Sequence, residues 1–132
     1  MARALAFLAA TLFVSGAMTA AAQGFGFSFD WGDIPLCTSG QPNLVPNPLF
    51  ELHDVPQGAV SIVFKLTDLD VPGYAHGGGR VRLAGQDLIA PGAFTYKSPC
   101  PPSGSHTYEW RATVLDKDGK PIAEARASTR YP

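Results

Sequence analysis

The groups in this chain best equipped to hold or transform a ligand sit in two loops. The first, 67–79, carries Asp68, Asp70, Pro72 and His76 at the end of a strongly alternating segment, then closes on Gly77, Gly78 and Gly79. The second, 92–108, sets Cys100 among Pro99, Pro101 and Pro102 and ends on His106 and Tyr108. Each proline locks its own φ and restricts the residue before it, so this loop is rigid and shaped to hold something. A carboxylate beside a histidine fixes the ring tautomer and favours the charged form, which can donate to an anion; a tyrosine hydroxyl adds a neutral donor. Of the two acids in the first loop, one is expected to accept bonds from loop amides while the other faces a ligand.

Catalytic chemistries fit these residues less well. Ser103 or Ser105 beside His106 lacks a Gly-x-Ser-x-Gly elbow, and neighbours on a strand point to opposite faces. Asp68, Asp70, His76 and His106 offer oxygen and imidazole donors that suit several metals, but without a ligand spacing that defines a metal site. The three glycines are followed by no Lys and Ser or Thr, as a phosphate loop requires, which leaves flexibility or close packing as their reason. Asp116-x-Asp118-Gly119 imitates the middle of a calcium loop without its remaining ligands, and a hairpin turn accounts for it. The expectation is a non-enzymatic protein with no cofactor and no bound metal.

The elements that must position these groups are strands. Over 59–67, Val60, Ile62, Phe64 and Leu66 alternate with Ser61, Val63, Lys65 and Thr67. Over 106–114, His106, Tyr108, Trp110, Ala112 and Val114 share one face, so the two site residues leave the Pro-rich loop pointing the same way. A turn at 116–120 leads into a last strand over 122–129, whose Ala and Glu content leaves a helix possible. Shorter strands are expected at 50–52, 80–83 and 94–96. The fold class is mainly β, with long functional loops and little helix. Between 23 and 47 the chain reads as irregular: Phe25, Phe27, Phe29 and Trp31 alternate with small and polar residues before a run of prolines. That alternation is either a short strand laid on the domain or an exposed patch for a protein partner.

Residues 1–22 read as a cleaved export signal, with Arg3 before an apolar run and small residues at Ala20, Ala21 and Ala22. The run is too short for a transmembrane helix. One domain follows, expected at 48–132 behind the irregular segment 23–47, in a periplasmic or secreted protein. Of ten Lys and Arg, Arg3 falls in the signal, leaving nine against eleven Asp and Glu. That balance promises no basic stripe, and nucleic acid is not expected as a partner. In an oxidising compartment Cys37 and Cys100, the two cysteines of the chain, are expected to pair.

Two motifs carry a family resemblance. Asp68-Leu69-Asp70-Val71-Pro72 resembles the Asp-Pro-Asp-x-Pro motif of the phosphatidylethanolamine-binding proteins. The run from Tyr96 through Ser98, Pro99, Cys100, Pro101, Pro102, Gly104 and His106 to Tyr108 resembles their Tyr-x-Gly-Pro-x-Pro-Pro-x-Gly-x-His-Arg-Tyr motif, nearest the bacterial Raf-kinase-inhibitor-like branch. The resemblance implies a large antiparallel sheet packed against a smaller one and a small pocket for phosphate-like or carboxylate anions, such as a phospholipid head group. It assigns Asp68 and Pro72 to the pocket, Cys100 and Pro101 to its lining loop, and His106 and Tyr108 to the anion. Leu69, Ser98 and Thr107 depart from the motifs. So does the strand after the first motif, where the family usually has a histidine pair or His-Trp and this chain has Gly77-Gly78-Gly79-Arg80-Val81. One wall of the pocket is thus expected to be missing and the site shallow, with His76 the candidate to stand in from the loop.

Overall fold

The computed structural model describes residues 24–132; the export signal read at 1–22 lies outside them. In chain order the strands are β1 (Gly26–Asp30), β2 (Leu44–Pro46), β3 (Leu49–His53), β4 (Ser61–Asp68), β5 (Gly78–Arg82), β6 (Leu88–Ile89), β7 (Thr95–Lys97), β8 (His106–Leu115) and β9 (Pro121–Tyr131). No helix occurs among the described residues, so the Ala-rich segment after the 116–120 turn is a strand, paired along its length with β8.

The two segments with the clearest alternation, β4 and β8, pair antiparallel at the centre of a four-stranded sheet of order β5-β4-β8-β9. A three-stranded sheet, β1-β3-β6, packs against its inner face, and β2 with β7 forms a small third sheet. The core lies between the first two. Ile62, Phe64 and Leu66 from β4 and Tyr108, Trp110, Ala112 and Val114 from β8 are buried against Phe27 and Phe50. Phe50 stacks on Phe64 with centroids 4.1 Å apart, and Trp110 meets Phe50 edge-on at 5.2 Å. Each such side chain contributes roughly 1.5–3 kcal/mol by leaving water.

The N-terminal aromatics belong to this core. β1 pairs with β3 over five residues, Phe27 is buried, and Phe25, Phe29 and Trp31 pack against the core, so no exposed aromatic patch forms. The division between an irregular 23–47 and a domain from 48 is corrected accordingly: β1 and β2 both pair across it, with β3 and β7. Alternation marked β1 in the sequence, whereas β2 has three residues, one of them Pro46, and carries no periodic signal.

Gly77 takes a φ of +81°, whereas Gly78 and Gly79 owe their place to packing. A Cβ on Gly78 would strike the Phe64 carbonyl, and one on Gly79 would strike the Phe94 ring, which lies directly on the β5 backbone. Composition also misled on charge. The outer face of the four-stranded sheet gathers six Lys and Arg, although the chain as a whole is nearly neutral.

Candidate functional site

The register of the central strands assembles the site. Asp68, the last residue of β4, is directly opposite Tyr108 on β8, and His106 lies two residues earlier on the same inward face. Diagonal neighbours on one face are within side-chain reach. His106 Nδ1 and Asp68 Oδ2 are 2.6 Å apart. The other carboxylate oxygen, Oδ1, accepts from the amides of Asp70 at 2.9 Å and Val71 at 3.2 Å. One acid therefore does both jobs that the sequence divides between two. Burial works to raise the Asp68 carboxyl, but the bond to His106 and the two amides outweigh it and hold it below the ordinary carboxylate value.

Asp70 turns outward instead. Its Oδ2 accepts from the Thr107 amide at 2.8 Å, tying the acidic loop to the first residues of β8. Asp68, Asp70 and His106 bring one donor atom each within 4.8 Å of one another. Those groups are already joined to each other and to the backbone, so a cation would have to displace protein bonds to sit there.

A cavity of about 420 Å³ opens over the pair, within the range of small-ligand pockets. Asp68, His76, Cys100, Pro101, His106 and Tyr108 line it. Asp70 and Pro72 do not; Val71 and Tyr74 take their place in the wall from the same loop. The opposite rim comes from Cys37, Thr38, Gly40 and Pro42, held there by the Cys37–Cys100 disulfide, whose Cα atoms are 5.3 Å apart. Nothing in the sequence pattern of 37–42 marks it as a wall; only the cysteine pairing points to it.

The missing wall is present. His76 is 3% exposed, and its ring meets Tyr108 edge-on at 5.5 Å and Tyr74 at 4.7 Å. It enters from the loop just before the glycines, so the expectation of an open, shallow site gives way to a cavity with histidines on two sides. Its Nδ1 lies 2.7 Å from the Lys97 carbonyl. A carbonyl only accepts, so this nitrogen carries the proton. Burial lowers the His76 pKa below the ordinary imidazole value, and the carbonyl bond and the Asp68 charge oppose that only in part.

Tyr108 is fully buried, and its hydroxyl, close to Asp68 and the Cys100 backbone, makes no hydrogen bond of ordinary geometry. Burial, then the negative charge of Asp68, raises the phenol well above its usual pKa, so it stays a protonated donor. A buried hydroxyl without a partner leaves a desolvation cost of about 1–3 kcal/mol that a ligand or water can relieve.

Two residues outside the cavity brace it. Asn47, 1% exposed, donates to the carbonyls of Pro48 and Ala90 and accepts from the amides of Gly92 and Phe94, which fixes the entry to the Pro-rich loop. Ser98 stands where the motif has glycine, and its Oγ accepts from the Asn43 amide at 3.1 Å. That departure strengthens the tie between the loop and the rim.

A four-stranded sheet backed by a three-stranded one, with a two-histidine cavity at the end of its central strands, defines the class of the molecule: a β fold with a cavity at the end of its main sheet. A crystal structure from Chlamydia trachomatis, described as a phosphatidylethanolamine-binding protein homolog, shares that fold with a TM-score of 0.59. The two are 19% identical over 84% of this chain and 99% of that one. No protein-family model and no curated protein matches the chain. The fold expected from the two motifs is the fold the chain has.

Proposed function

We propose that the chain is an exported, non-enzymatic binding module whose cavity takes a small anion, a phosphate or carboxylate of the kind carried by a phospholipid head group. The observation that carries this reading is the clamped Asp68–His106 pair beside the Tyr108 hydroxyl, which makes no hydrogen bond of ordinary geometry. Asp68 spends its charge on two amides and one ring, so it orients His106 without presenting a free carboxylate to an incoming anion. With Nδ1 engaged, the remaining His106 nitrogen is the one left for a ligand.

The second histidine narrows the choice. With its proton on Nδ1, neutral His76 has a lone pair on Nε2, an acceptor. The site is suited to an anion that also has a proton to give: a monohydrogen phosphate ester, or a head group that pairs phosphate with ammonium. Against hydrolysis, the Ser105 hydroxyl donates to the Pro132 carbonyl and not to His106. Export rests on the 1–22 pattern and is consistent with the disulfide; no helix of the described residues is long and apolar enough to cross a membrane.

Titration of the protein with phosphate, acetate and phosphoethanolamine, followed through the His106 and His76 ring resonances, tests the site. Both rings are expected to shift at millimolar phosphoethanolamine, and His106→Ala to abolish the response. Unmoved rings across that range sink the reading.

A further inference from the structure

Of the nine Lys and Arg among residues 24–132, six stand on the outer face of the four-stranded sheet, between residues whose neighbours point inward: Lys65, Arg80, Arg82, Arg111, Arg126 and Arg130. Two acids, Glu109 and Glu124, share that face, a balance of plus four. The other three cations and nine acids leave minus six on the rest of the described chain. A nearly neutral sequence has folded into a molecule with one positive side.

The arrangement costs stability, which argues that it is held for a partner. Lys65 is directly opposite Arg111, and Arg111 directly opposite Arg126, three cations in a row across adjacent strands roughly 4.8 Å apart. Like charges so placed destabilise a sheet. Arg126 is compensated by Glu109 at 3.2 Å and Glu124 at 3.3 Å, and Arg130 donates to the Ser105 carbonyl. Lys65, Arg80, Arg82 and Arg111 form no ion pair among the described residues. On β5 the residue opposite Lys65 is Gly78, and Arg80 and Arg82 lie further along the same outer face, where they border a depression of about 430 Å³ shared with Asp116 and Lys117.

We propose that this face docks an acidic polysaccharide, a flexible chain carrying sulfate, phosphate or carboxylate groups along its length. Three features select that occupant. Strands in a sheet turn by roughly 20–25° per step, so a four-stranded face cannot lay all its cations on one plane, as a bilayer surface requires, whereas a chain can follow the track. The face carries no aromatic side chain on which single-stranded bases stack. It also presents no helix to enter a duplex groove. The surface is separate from the cavity, which lies on the inward side of the same strands.

Heparin serves as the probe, with a fluorescent heparin fragment titrated into the full chain by anisotropy between 20 and 300 mM salt. Binding should weaken with a log–log slope of about −3, the value for some four neutralised cations. Lys65→Gln with Arg111→Gln should weaken it at least tenfold while the thermal midpoint holds or rises, since the repulsive row is gone. Arg80→Gln with Arg82→Gln repeats the test at the sheet edge and should cost several-fold. His106→Ala should bind heparin as the parent does, whatever the anion titration of the cavity shows. The proposal is overturned by an absence of binding at 20 mM salt, by unchanged affinity in both double variants, or by loss in His106→Ala. Tighter binding of a single-stranded DNA 20-mer or of phosphatidylglycerol vesicles also overturns it and assigns the face to that partner.

Discussion

The two histidines of the cavity are held by the same ring atom in contrasting settings. His106 sets Nδ1 on the Asp68 carboxylate at 2.6 Å, with 15% of its side chain exposed; His76 sets Nδ1 on the Lys97 carbonyl at 2.7 Å and is 3% exposed. Both partners orient a ring, but the carboxylate brings a negative charge beside it, while the carbonyl in a buried setting fixes a tautomer without supplying charge. One wall therefore presents a ring backed by a carboxylate, and the other a ring whose Nδ1 proton is held by a carbonyl and whose Nε2 is left as an acceptor. The two histidines that line the cavity are therefore not equivalent in their surroundings.

The strongest way to break that comparison is to remove the rim that both walls share. Cys37→Ser with Cys100→Ser opens a loop of 63 residues and should cost roughly 4 kcal/mol in a urea unfolding curve. It also frees 37–42 from the cavity, so both rings should lose their response to phosphoethanolamine together. A parent-like urea midpoint in the double variant would show that the bridge adds little to the fold. Next comes Asp68→Asn, which keeps an oxygen for the Asp70 and Val71 amides but loses the charge. Stability should fall by about 1–3 kcal/mol, and anion affinity at least tenfold. The His76 resonances should stay where they are. If they move as far as those of His106, the two walls are one coupled unit and the contrast fails.

Much of this was legible in sequence because it follows from periodicity. The alternation over 59–67 and 106–114 placed β4 and β8, and the shared face of His106, Tyr108 and Trp110 fixed the direction of the site residues. The cysteine count gave the bridge. What stayed hidden depends on where a loop goes after it leaves a strand. Asp70 and Pro72 lie beside Asp68 in the chain, yet the turn carries Asp70 out to the Thr107 amide and brings Val71 and Tyr74 inward. His76 lies off the expected strand in the chain, while packing against Tyr108 and Tyr74 decides where its ring sits. The six cations of the outer face illustrate the same limit, since net charge sums over faces that a partner meets one at a time.

The finest test of the contrast is its pH dependence. His76 has a folded pKa lowered by burial, so between that value and the ordinary imidazole value of about 6.5 the unfolded chain binds more protons than the folded one. Stability contributed by keeping this ring neutral is full above that window and is lost as pH falls through it. Asp68 is also lowered, but its contribution is present above the ordinary carboxylate value and fades only as pH drops through the lower folded value, well below the histidine window. His76→Gln keeps a donor for the Lys97 carbonyl while removing the titrating ring. Urea midpoints of parent and variant measured between pH 7.5 and 5 should therefore converge on acidification, with the parent losing more. Parallel curves would mean that His76 protonates in the folded protein as readily as in the unfolded one, and the neutral wall would have to be given up.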